Sequence, residues 1–139
     1  MRKPQTTISC TVMVHVSVPR EIPVPLQVEF SYCATDPYAV RLSIGPGHAS
    51  PVHWTLSREL LSDGIDAPSG IGDVLVRPRA IGRRRFVNIT LRSTAGSAAL
   101  LCPVREVAAF LRHTFTHVPE GSEEQYLDLD KLVLDLTQR

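Results

Sequence analysis

Residues Ile8–Val18 read ISCTVMVHVSV. Ile8, Cys10, Val12, Val14, Val16 and Val18 fall on one side of a period of two. Ser9, Thr11, His15 and Ser17 fall on the other, with Met13 among them. That alternation is a half-buried strand, because successive side chains of an extended chain point to opposite faces. The pattern recurs in Leu26, Val28, Phe30 and Tyr32, in Tyr38, Val40, Leu42 and Ile44, and in Val52, Trp54 and Leu56. Pro19, Pro23 and Pro25 break the first connection, Thr35-Asp36-Pro37 the second and Gly45-Pro46-Gly47 the third. Pro37 pushes Asp36 out of the α region, which marks a turn. Four amphipathic strands with short connections predict an antiparallel sheet with one covered face.

Beyond them the period changes. Ser57–Gly64 predicts a short helix, with Ser57 as its cap, Glu59 in the first turn, and Gly64 ending it in a left-handed conformation. Trp54, Leu60 and Leu61 are the expected core residues that anchor it on the sheet. Pro68-Ser69-Gly70-Ile71-Gly72 is a tight connection. Strand patterns resume at Asp73–Arg77, Arg85–Leu91 and Ser97–Cys102. Pro103 suits the first position of a helix. Val104, Val107, Ala108, Leu111 and Phe115 follow at helical spacing, with Phe110 alongside, and the helix ends near His117. A last helix is expected from Asp128, with Leu129, Leu132, Val133 and Leu136 as its apolar face. The order predicts one α+β domain over residues 1–139, with residues 1–6 a flexible N-terminus. It has curved antiparallel sheets of seven to eight strands, a short helix in the middle and one or two C-terminal helices.

A chain of 139 residues buries roughly 70% of its unfolded surface, so it needs no metal or disulfide to hold a core. The net charge of +1 exerts no global pull toward nucleic acid or membrane. The charge is unevenly spread: Arg77–Arg112 holds eight arginines and one acid, Glu106, whereas His113–Arg139 holds six acids and two bases. Cys10, Cys33 and Cys102 form no CxxC pair. An odd cysteine count and no apolar leader predict a cytoplasmic protein.

No motif carries chemistry. There is no GxSxG, and the paired glycines at 45/47 and 70/72 are turn fragments rather than a phosphate loop. His113 and His117 are four apart on a predicted helix, but no third ligand lies near them in sequence. Asp128, Asp130 and Asp135 read as a cap and a solvated helix face. Neither an enzyme, a cofactor nor a metal is expected.

One segment stands out. Val76–Val87 reads VRPRAIGRRRFV and holds five of the thirteen arginines. A hairpin turning near Gly82 places Arg83, Arg84 and Arg85 on one arm and Arg77 and Arg79 on the other. Such a hairpin could grip phosphates, with Phe86 as a stacking surface, as in a single-stranded nucleic-acid binder. Arginine also suits bidentate pairing with carboxylates, so an acidic protein surface serves equally, as does plain solvation. The low net charge and the single interleaved aromatic disfavour nucleic acid.

Three further stretches, TDPYAVRLSI (Thr35–Ile44), WTLSRELLSDGIDAPSGIGDVLVRP (Trp54–Pro78) and CPVREVAAFLRHTFTHVPEGSE (Cys102–Glu123), with LDLDKLVLDL (Leu127–Leu136), resemble the SsgA-like family of actinobacterial sporulation and cell-division proteins. The resemblance covers about residues 7 to 137. It implies a whirly-like fold and a non-enzymatic regulator of septum placement and spore-wall remodelling. The implied partners are its own copies, with a trimer the family precedent, an SsgA-like paralogue, and the division protein FtsZ. Nucleic acid is not among them, and the membrane is not contacted directly. The implied location is the cytoplasm, at division septa. Asp36, Pro37 and Tyr38 match a family signature, read as a turn in which the Asp36 side chain bonds nearby backbone N–H groups. Gly70, Gly72 and Asp73 match as a required loop, and Pro68, Phe110, Leu111, Pro119 and Gly121 as structural positions. Arg58 matches a basic position and, with Glu59, is expected on the exposed side of its helix, as a partner-binding residue beside Arg77, Arg79, Arg83, Arg84 and Arg85. The triple arginine is not part of the shared pattern.

Overall fold

Alternating rows of valine, leucine and phenylalanine must be buried, and short turns allow this only by antiparallel pairing of successive strands. The computed structural model describes residues 7–47 and 50–127. Strands β1 (Thr7–Ser17), β2 (Val24–Cys33), β3 (Ala39–Ile44) and β4 (Val52–Ser57) lead into helix α1 (Arg58–Asp66). Strands β5 (Val74–Ile81), β6 (Arg84–Ser93) and β7 (Gly96–Pro103) then lead into α2 (Val104–His117). All seven strands form one antiparallel sheet in the order β4-β3-β2-β1-β7-β6-β5. The predicted α+β order is therefore present. The predicted last helix and the N-terminal residues 1–6 lie outside the described residues.

The sheet is two meanders joined narrowly. β1 pairs with β2 from Thr7 to Val16, but with β7 only at His15, Val16 and Ser17. The inner rows meet in one core that includes Val12, Val14, Val28, Phe30, Leu42, Val76, Ile89 and Leu100. α2 lies over one end of this core, where Phe110 packs on Phe30 with ring centroids 5.8 Å apart. At the other end Trp54, Val16, Val52 and Leu91 line an open apolar cleft. Trp54, expected as core, is thus only partly buried, while Leu61 is fully buried and Leu60 packs against the core.

Gly64 departs from expectation. It does not end α1 but lies inside it, because the helix runs on to Asp66 and is closed by the Ala67 N–H bonding to the Asp63 carbonyl. A Cβ at position 64 would run into the Val76 side chain. The glycine lets α1 approach β5 closely.

The hydrogen-bond phase of the ladder follows from two bonds. Gly45 N–H donates to Gln27 O and Arg58 N–H to Tyr38 O. In an antiparallel pair, bonded residues alternate with non-bonded ones. With the observed registers, even-numbered residues of β1 bond to β2, and odd-numbered ones turn their N–H and C=O toward β7. At the β5 edge, Val76 exchanges bonds with Ser69, and Pro78, of the same phase, has no N–H to offer. That edge is blunted against further pairing.

Candidate partner-binding site

The arginine segment forms the hairpin of β5 and β6. Ile81 pairs with Arg84, so Gly82 and Arg83 make a two-residue turn. Gly82 has φ +61°, and Arg83 is not among the positive-φ residues. A positive φ at the first central residue alone is the pattern of a type II′ turn, which matches strand twist and favours glycine there. β7 stops pairing with β6 at Pro103 opposite Phe86. The tip from Ala80 to Arg85 therefore projects beyond the neighbouring strand.

Directly paired residues share a face. Arg79 lies opposite Phe86, Arg77 opposite Asn88, and Arg84 is two residues from Phe86. These three arginines occupy the outer face, Arg85 the opposite face, and Arg83 the turn. All five are exposed. Among the described residues the one ion pair is Arg58–Glu123, so none of the five closes on Glu120, Glu123 or Glu124. Asp128, Asp130 and Asp135 lie outside the described residues.

Phe86 does not serve as an open stacking platform. It is 8% exposed, and the Arg84 guanidinium lies 5.3 Å from its ring centroid. The face of the ring on the arginine side is already taken.

Arg58 corrects the expectation of an exposed partner-binding residue. Ser57 caps α1 through its Oγ, which accepts from the Leu60 N–H at 3.1 Å. The next side chain turns inward and is 1% exposed. Its guanidinium lies 4.2 Å from the Phe115 ring centroid and 4.9 Å from that of Tyr32. Nη1 donates to the carbonyls of Thr114 (3.2 Å) and Val118 (2.8 Å), and Nη2 to Glu123 Oε2 (3.0 Å). A cation here suits the C-terminal end of α2: it shares the Thr114 carbonyl with the Val118 N–H and satisfies the Val118 carbonyl beyond the helix. Arg58 is thus an internal residue rather than an exposed one. It fastens the start of α1 to the end of α2 and to the turn beyond.

The surrounding groups are tuned to this cation. Burial pushes the Tyr32 phenol up to about 12, with Arg58 acting against it. Tyr32 stays neutral and donates to the Pro37 carbonyl at 2.9 Å. Burial also raises the Glu123 carboxyl. The bonds it accepts from its own N–H, from Arg58 and from the Gly121 N–H outweigh this and hold it below the ordinary glutamate value. The Asp36 turn is closed by backbone bonds, Asp36 N–H to Cys33 O and Ala39 N–H to Asp36 O.

Glu59 is exposed, as expected. With Asp63, Glu120 and Glu124 it rims a recess of about 340 Å³ above the Arg58 site. The molecule therefore carries a basic hairpin and a separate acidic face. Among the described residues, no group of three or more His, Cys, Asp or Glu side chains is arranged to hold a metal. Burial raises the Cys10 thiol, and raises that of Cys102 to about 12, so neither is a thiolate at neutral pH. Among the described residues, no helix is long and apolar enough to cross a membrane.

Residues 26–123 match the family described as Streptomyces sporulation and cell division protein, SsgA. The sporulation-specific cell division protein SsgB of Thermobifida fusca is 41% identical over 125 residues, which span 90% of this chain and 91% of that protein. SsgB of Streptomyces coelicolor is 36% identical over 91% of this chain and 92% of its own length. The crystal structure of an SsgA-like sporulation-specific cell division protein from Thermobifida fusca superposes with a TM-score of 0.88 at 38% identity, covering 97% of this chain and 98% of that one. An SsgB structure from Streptomyces coelicolor, described with mutations that correlate to longitudinal cell division during sporulation, gives 0.84 at 34% identity, covering 91% and 99%.

Proposed function

We propose, from the premise that this chain belongs to the SsgA family of sporulation and cell-division proteins, that it acts in septation as a non-enzymatic binding module. Its arginine hairpin is the contact element. The division and sporulation role rests on the family; the mechanism rests on one observation. Five exposed arginines line one hairpin, three of them, Arg83, Arg84 and Arg85, on the tip that projects past its neighbouring strand, with no ion pair among the described residues. Planar guanidiniums held on a hairpin suit bidentate pairing with carboxylates. The partner is an acidic protein surface of the division machinery, such as FtsZ or an SsgA-like paralogue, which the module helps bring to future septa. Spore-wall remodelling would follow from septal placement rather than from chemistry of this chain.

The acidic face around Glu59 and Asp63 gives self-assembly a second charged surface, and hairpin to acidic face is the contact expected between copies of a homo-oligomer. The nucleic-acid reading loses its stacking surface, since Phe86 is buried beneath Arg84.

The test is direct binding between the purified chain and purified FtsZ or paralogue, comparing wild type with Arg83→Glu/Arg85→Glu. Binding at low salt that weakens at least tenfold in the double variant supports the reading. Binding that is unchanged in the double variant overturns it.

A further inference from the structure

β7 leaves the sheet early, and among the described residues the lane it vacates is open. From Pro103 the chain turns into α2, while β1 continues for several residues beyond its last pairing with β7 at His15. By the hydrogen-bond phase established above, Ser9 and Thr11 aim their N–H and C=O groups into that lane. Neither has a backbone partner there among the described residues. Unpaired strand groups of this kind are a template for another extended chain.

The lane is also shaped. A groove of about 300 Å³ runs between this edge and α2, with Cys10, Val12, Ala109 and Phe110 along its apolar side. That volume is at the lower end of ligand pockets, and takes a few side chains rather than a helix about 10 Å across. Each face of the lane has an acidic residue near it. Glu106 rims the groove from α2, and Glu29 lies directly opposite Thr11 on β2. Among the described residues neither is in an ion pair. The other sheet edges lack this combination. β5 is blunted by Ser69 and Pro78, and the groove along His53 and Thr55 of β4 is lined by strand residues alone among the described residues.

The geometry points to a second binding site, independent of the arginine hairpin: the β1–α2 lane takes an extended peptide of a partner protein, added as a strand beside Ser9 and Thr11. Its apolar side chains alternate toward Val12 and Phe110, and its basic side chains lie on the face of Thr11, toward Glu29. Main-chain bonds give such a complex its affinity, and the alternate side chains give it specificity.

The probe is a fluorescein-labelled peptide, VKVKVKV, titrated with the full chain and read by fluorescence polarisation. Saturable binding is expected, with at least a tenfold loss for VEVEVEV and for the Glu29→Lys variant with VKVKVKV. Thr11→Pro removes the N–H that faces the lane and leaves the β1–β2 ladder intact, as Pro78 does on β5. It is expected to weaken binding at least tenfold. A second measurement needs no variant. Added antiparallel, as β7 is, the peptide places its lysines opposite Thr11, and their N–H groups bond to β1. N-methylation of the lysines abolishes binding, whereas N-methylation of the valines does not. The proposal is overturned by the absence of saturable binding, or by equal loss from both methylated peptides. It is also overturned if Thr11→Pro lowers the mass of the protein in solution while VKVKVKV fails to bind, because the lane then holds a second copy.

Discussion

Arg58 and Glu123 lie 65 positions apart in sequence and meet at 3.0 Å, with the guanidinium almost wholly buried. The pair joins the first turn of α1 to the segment after α2. Removing one partner of a wholly buried pair costs about 3–5 kcal/mol; Glu123 is partly exposed, but Arg58→Glu also buries a second carboxylate beside it. Arg58→Glu is therefore expected to unfold the domain or to lower its urea midpoint severely, and Arg58→Lys to recover only part of the loss. Equilibrium denaturation monitored by circular dichroism checks this. Near wild-type stability in Arg58→Glu contradicts the buried role.

The same pair makes stability depend on acid. The Glu123 carboxyl is held below its ordinary value in the folded state. A lowered folded value contributes stability above the unfolded value, lost as pH falls through the folded one. The stability difference between wild type and Glu123→Gln is expected to be full at neutral pH. It should shrink as pH falls below the ordinary value of 4.5. Urea titrations at pH 7 and at successive steps below 4.5 measure it; a difference that grows toward acid has the wrong sign.

Gly64→Ala separates helix propensity from packing. In an exposed helix interior the change gains about 1 kcal/mol. Here the new methyl meets Val76, and overpacking of a core costs about 1–3 kcal/mol. A net loss in thermal stability is expected, and Val76→Ala in the same background is expected to restore part of it.

The hairpin gives a prediction about nucleic acid. With Phe86 covered, any contact with single-stranded oligonucleotide is electrostatic alone and vanishes steeply with salt. A titration is expected to show no saturable binding at physiological salt. Phe86→Leu should leave any low-salt binding unchanged, whereas a stacking role makes that variant lose it.

The sheet was legible because strands with one covered face keep a strict period of two, and proline and glycine mark their ends. The arginine hairpin was legible for the same reason, with Gly82 at the turn. The burial of Arg58 is less legible, although a signal exists. Arg58, Leu61 and Ile65 share one stripe at helical spacing, so an arginine there belongs to the apolar face. Its partners Tyr32, Thr114 and Glu123 are distant in sequence, and nothing local announces them. Gly64 misled because a glycine near a helix end usually caps it, whereas here a close approach to Val76 decides. The open lane beside β1 comes from where β7 stops, a register that no single segment encodes.

The central claim is that the hairpin arginines carry the protein to its place of work, and a localisation experiment tests it most directly. Fluorescent fusions of wild type and of Arg83→Glu/Arg85→Glu are expressed at equal levels in a sporulating host lacking the native copy. Both residues are exposed, so the variant is expected to fold with wild-type stability. It is expected to stay diffuse while wild type gathers at septa. A folded double variant that reaches septa as wild type does contradicts the account.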